Sequence, residues 1–112
     1  MPLPSPQVYK EEATLLDKVI KWLEPQRRDG IKVIRICDRY NKGYSDLFIC
    51  VRGIFVVAEL KDDIGTPSPH QIQFVEDIVK CGGIGNHTCR SVADVANLVE
   101  EAKRRVPDWK RS

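Results

Sequence analysis

The stretch Gly43 to Lys61 reads GYSDLFICVRGIFVVAELK. It holds two apolar runs rich in β-branched and aromatic residues, Asp46 to Val51 and Ile54 to Leu60, separated by Arg52-Gly53. Two strand-like runs joined by two residues, the second a glycine, read as a β-hairpin. With Arg52 and Gly53 as the turn, Val51 pairs with Ile54, and stepping outward brings Asp46 opposite Glu59. Directly opposed residues of an antiparallel pair share one face of the sheet, with Cβ atoms about 4.5–5.5 Å apart. Two carboxylates so placed repel, and a cation between them removes the penalty. Hard divalent cations such as Mg²⁺ take oxygen donors of this kind. Strand alternation puts Lys61 on the face of Glu59. Two carboxylates, a metal ion and a lysine suit phosphodiester hydrolysis, in which a metal-bound water attacks phosphorus and a cation offsets the growing charge. The plain alternative is a strand that happens to start at Asp46 and a solvated Glu59–Lys61 pair at a sheet end.

Upstream, Val8, Leu15, Leu16, Val19, Ile20 and Leu23 recur at helical spacing, and Pro25 ends that run. Glu12 falls in the middle of the apolar stripe, within about 40° of Leu16, Val19 and Leu23, while Glu11 lies about 100° away. An unpaired charge is costly there, which makes Glu12 a further candidate ligand, unless its place near the helix start lets it escape burial. Pro2, Pro4 and Pro6 mark residues 1–7 as an extended lead-in. Ile31 to Cys37 reads as a strand and Asp38 to Ser45 as a loop. Downstream, Lys61 to Pro67 reads as a loop. Ser68 and Pro69 then open a helix that runs to Lys80 and stops at Gly82-Gly83. Gln71 completes an S-x-x-Q capping box, and in the first turn of a helix that begins just after Lys61 its amide is also expected to reach the lysine or a phosphate. Ile84 to Arg90 is a weak strand. Ser91 caps a last helix with Asp94 in its first turn and Val95, Leu98, Val99 and Ala102 on its inner face. From Lys103 to Ser112 the chain is basic and expected to fray, with residues 106–112 as the tail proper. The order α-β-β-β-α-β-α makes the class α/β, a mixed sheet flanked by helices, in a single domain spanning 1–112.

The 112 residues carry a net charge of +2, so any nucleic-acid footprint must come from local clusters rather than bulk charge. Arg39, Lys42, Tyr44, Ser68, Lys103 and Arg104 are the candidate contacts, with Tyr40 and Trp109 as possible stacking rings. His70 and His87 read as surface residues rather than bases. No apolar run is long enough to span a bilayer, and the first ten residues lack a secretory pattern. Cys37, Cys50, Cys81 and Cys89 form no C-x-x-C pair and read as reduced core residues of a cytoplasmic protein. A zinc site from Cys81, His87 and Cys89 fits no common spacing.

Asp46, then Glu59-Leu60-Lys61, then Ser68-Pro69-His70-Gln71 and the Gly82-Gly83 helix end together resemble the PD-(D/E)-x-K nuclease superfamily. Within it, the chain looks like a minimal stand-alone virus-type replication-repair nuclease (VRR-NUC) domain, over about Glu12 to Ala102. The resemblance implies a restriction-endonuclease-like core and a Mg²⁺- or Mn²⁺-dependent DNA endonuclease. It implies Asp46, Glu59, Lys61 and Gln71 as catalytic-site residues. The implied metal ligands are Glu12, Asp46, Glu59 and the Leu60 carbonyl. Ser45 stands where the family usually has proline before the aspartate, and serine also supports that turn. Stand-alone members resemble phage proteins of a bacterial host cytoplasm, act as homodimers and include enzymes that cut four-way junctions or other branched DNA. The competing expectations are a non-catalytic nucleic-acid-binding module and a protein-interaction domain of a phage replication complex, neither of which needs opposed carboxylates.

Overall fold

The computed structural model describes residues 6–35 and 45–109, with side chains described for 15–34 and 47–109. Helix α1 (Pro6–Leu23) leads through a 3-10 turn (Glu24–Asp29) into strand β1 (Ile31–Arg35). Strands β2 (Ser45–Val51) and β3 (Ile54–Leu60) follow, then helix α2 (Pro69–Lys80), strand β4 (Ile84–Cys89) and helix α3 (Val92–Arg105). The four strands form one sheet in the order β1-β2-β3-β4. The first two pairings are antiparallel and β3–β4 is parallel. The class is the mixed α/β core expected from sequence.

The hairpin follows its turn chemistry. Arg52 and Gly53 have φ of 52° and 87°, the left-handed pair of a two-residue turn that matches strand twist. Because the turn fixes the register, Val51 faces Ile54 and Asp46 faces Glu59.

One sheet face is the main core. Leu47, Ile49 and Val51 of β2 and Val56, Ala58 and Leu60 of β3 meet Val19 and Leu23 of α1 and Val95, Leu98, Val99 and Ala102 of α3. Leu15, Leu16 and Ile20 of α1 pack against this core, so from Leu15 to Leu23 the apolar stripe read from the sequence faces the core. Helix α2 covers part of the opposite face. Phe74 of α2 stacks on Phe48 of β2 with ring centroids 5.9 Å apart, and Phe48 lies 5.2 Å from Phe55. Phe55 and Phe74 stay exposed on that side, as does Ile34 of β1.

Five boundaries or assignments differ from the sequence reading. Residues 1–7 are not all an extended lead-in, since α1 begins at Pro6. Proline is tolerated there because a first-turn N–H has no partner within the helix. Strand β2 starts one residue early, at Ser45, and β4 ends one residue early, at Cys89. From Lys103 to Trp109 the chain is ordered rather than frayed: α3 continues through Arg105, and Trp109 packs against Arg52 and Gly30, while residues 110–112 lie outside the described ones. Cys81 is exposed at the end of α2 and Cys50 is half-buried, so among the described cysteines only Cys89 is a core residue. Cys37 lies outside the described residues.

Candidate active site

Glu59 is the last but one residue of β3 and is 1 % exposed. Its place follows from alternation: Ala58 and Leu60 enter the main core, so Glu59 turns to the face that carries α2. There Gln71 Nε2 donates to Glu59 Oε2 at 3.4 Å. The Gln71 amide is oriented by its other end. Gln71 Oε1 accepts from the Ser68 N–H at 2.9 Å, and Ser68 Oγ accepts from the Gln71 N–H at 3.2 Å, closing the capping box. With its oxygen engaged there, only the NH₂ group remains for a carboxylate, which has no proton to give. Gln71 thus reaches the carboxylate next to the lysine, a contact that the sequence reading did not anticipate. Ser68 is the cap of α2.

A β-bulge lies beside Glu59. The β3–β4 register runs from Ala58 opposite Asn86 to Leu60 opposite Cys89, so Glu59 stands against two residues, His87 and Thr88. Bulges next to functional sites commonly re-aim side chains and interrupt pairing. His87 is half-buried, its Nδ1 2.9 Å from Thr88 Oγ1, and His70 is exposed on α2.

Lys61 follows the last residue of β3 and is only 5 % exposed. Its N–H donates to the Cys89 carbonyl at 2.9 Å, which extends the strand line by one residue. Leu60 between them buries its side chain in the main core, leaving its backbone at the seam between Glu59 and Lys61. Asp62, which the sequence reading did not single out, is buried as well. Its Oδ1 accepts from the amides of Ile64 and Gly65. Asp followed by Gly three residues on, in D-D-I-G, is the turn signal that would have found it.

Cys89 also adjoins the site. Its thiol pKa is pushed up to about 12, first by burial and then by the negative charges of Asp94 and Glu59. It stays a protonated thiol at neutral pH, hence a poor metal ligand and nucleophile.

The remaining expected residues fall elsewhere. The backbone of Asp46 is opposite Glu59, but its side chain lies outside the described residues, as does that of Glu12. Val19 and Leu23 anchor α1 on the face opposite Glu59, so a ligand role for Glu12 requires the first turns of α1 to reach past the end of the sheet. Arg39, Lys42, Tyr40 and Tyr44 lie outside the described residues. Lys103 and Arg104 sit at the end of α3 beside the hairpin turn, since Arg52 reaches the Lys103 carbonyl. The turn and Glu59 are at opposite ends of β3, so neither cation is brought to the Glu59 end. Lys103 Nζ is engaged with Glu100 and Gln26. Trp109 packs under Arg52, 5.7 Å from the guanidinium carbon to the ring centre, and serves the tail's anchorage.

Of the expected metal ligands, Glu59 and Leu60 have described side chains. Among the described residues no three His, Cys, Asp or Glu side chains form a metal-binding group, and no helix is long and apolar enough to cross a membrane. Among the described side chains, the buried Glu59 carboxylate is a hard oxygen donor at this end of β3, with the backbone of Asp46 in register with it. Comparison with protein-family models, curated proteins and solved structures finds no match.

Proposed function

We propose that the chain is a divalent-metal-dependent DNA endonuclease whose site is built on Asp46, Glu59, Lys61 and Gln71. The observation that supports this reading most is Glu59: a buried carboxylate, in register with Asp46 and tied to Gln71 through the capping box of α2. A fold that wanted only stability gains little from a buried acid opposite another acid, because desolvation and repulsion both oppose it.

In this reading Glu59 and Asp46 hold Mg²⁺ or Mn²⁺, joined by the Leu60 carbonyl and by Glu12. When bound, the ion supplies a water of lowered pKa and offsets charge on the scissile phosphate. Gln71 holds one Glu59 oxygen and so fixes the direction of the other. The Lys61 ammonium orients the attacking water or balances charge on the phosphate as the leaving oxygen departs. The DNA contacts in this reading are Arg39, Lys42, Tyr44 and Ser68, with Lys103 and Arg104 reaching only DNA that extends along the sheet. The substrate class is branched or flapped DNA, the protein a homodimer, and the setting the cytoplasm of a bacterial host.

The test is incubation of the purified protein with end-labelled duplex, flap and four-way-junction DNA, with Mg²⁺, with Mn²⁺ and with chelator. Metal-dependent cleavage of the flap or junction in preference to duplex is the expected result. Binding of all three without cleavage under any metal would instead favour a non-catalytic nucleic-acid-binding module.

A further inference from the structure

Lys61 carries a long stem at the very end of the strand line, and such a side chain holds about 2 kcal/mol of rotamer entropy when free. Yet it is nearly as buried as the core. The loop that follows explains this. Asp62 closes a tight turn through the Ile64 and Gly65 amides, and a Cβ placed on Gly65 would lie 3.6 Å from Lys61 Cδ. The turn therefore folds back over the lysine stem.

Arg90, directly after β4, locks this turn through its guanidinium. Its guanidinium donates to the Asp62 carbonyl through Nη1 and to the Gly65 carbonyl through Nη2, at 2.9 Å for the latter. One fork thus bridges both ends of the turn. Its own backbone is held in turn: the Arg90 N–H donates to Asp94 Oδ2 at 2.8 Å, in the first turn of α3. The peptide N–H of Lys61 bonds to Cys89, the residue just before Arg90. The lysine and its clamp are thus referenced to the same point of β4.

We infer that Arg90 is a positioning residue, which with Asp62 clamps the 62–65 turn over Lys61 and fixes where its ammonium lies. The consequence for catalysis rests on the nuclease reading above; the clamp itself does not. A lysine cannot copy the clamp, because an ammonium lacks the planar fork that spans two carbonyls.

The test measures the rate at which a small amine-reactive reagent modifies each lysine of the folded protein, resolved by peptide mass spectrometry. Lys32 and Lys80 are exposed and serve as internal references. Arg90→Ala should raise Lys61 modification several-fold relative to both, and Arg90→Lys should fall between. Gly65→Ala provides a second route. Gly65 is not a positive-φ residue, so its backbone accepts alanine, but the added Cβ would meet Asp62 Oδ1 at 2.9 Å and loosen the turn. If Arg90→Ala does not fold, Gly65→Ala carries the test. In cleavage assays kcat should fall on the order of 10²-fold with KM and metal affinity held, the signature of a misplaced group. Unchanged Lys61 labelling in both variants overturns the clamp. Raised labelling with an unaltered kcat, in a wild type that cleaves DNA, overturns the positioning role. A wild type that cleaves nothing removes the nuclease reading, and the labelling rates still decide the clamp.

Discussion

Two residues beside one another in the fold, Glu59 and Cys89, show how a site constrains its surroundings. The Cys89 thiol ionises near pH 9 in an unfolded chain and near 12 in the folded one, because burial and the charges of Asp94 and Glu59 oppose the thiolate. Between those values the unfolded state has lost a proton that the folded state keeps. Stability therefore falls as pH rises through this window, by up to about 1.4 kcal/mol per unit, and is fully retained below pH 9. Urea titrations at pH 8.5 and pH 10 should show the wild type losing about 1 kcal/mol more than Cys89→Ala over that interval. All other groups are common to the two proteins, so their contributions cancel. Equal losses would mean that the thiol is not held in its protonated form. Nothing in the sequence marked Cys89 for this place, because its proximity to Glu59 arises from the parallel β3–β4 pairing, which no local pattern encodes.

At the scale of elements, the turn between β2 and β3 does more than reverse the chain. Arg52 Nε donates to the Asp29 carbonyl at 3.1 Å, and Nη1 to the carbonyls of Lys103 and Val106, at the end of α3. A cation at a helix C-terminus also complements its dipole. One side chain thereby joins the 3-10 turn, the hairpin and the last helix, with Trp109 beneath it. Arg52→Ala should lower stability by about 1–3 kcal/mol, read as a shifted urea midpoint at constant slope. A shift worth less than about 0.5 kcal/mol, the usual scale for a surface substitution, would show the contacts to be incidental. Helix α1 carries a separate expectation. The proposed site takes Glu12 and not Glu11 as a ligand, so Glu12→Gln should reduce metal-dependent activity far more than Glu11→Gln. Equal effects at both positions would show that α1 does not contribute to the site. The elements themselves were largely legible: the two-residue turn set the β2–β3 register, Ser68 and Gln71 set the start of α2, and Gly82, with φ of 96°, its end. The Glu59–Gln71 contact and the Arg90 clamp were not legible. They depend on how α2 and α3 dock on the sheet, and one guanidinium among many charged residues carries no sequence signal of its own.

For the whole molecule, charge and size bear on the proposed binding of DNA. A 112-residue chain of net charge +2 neutralises few phosphates, and affinity follows that number. Lys103 and Arg104 lie at the far end of the sheet from Glu59, which further reduces what one protomer can hold near the site. A twofold dimer doubles the footprint and presents two sites to one branched substrate. Strand β4 ends the sheet and offers an edge for such pairing. Light scattering at micromolar concentration should give a dimer mass; a monomer that persists with junction DNA and Ca²⁺ present would count against it. The central claim is narrower than the dimer and is tested by one measurement: cleavage of labelled flap and junction DNA by wild type and by Glu59→Gln, with Mg²⁺ or Mn²⁺ and with chelator. The expected result is metal-dependent cleavage by the wild type and its loss in a Glu59→Gln protein that still unfolds cooperatively. Full activity in Glu59→Gln, or cleavage that persists in chelator, would contradict the assignment of Glu59 to a metal-dependent active site.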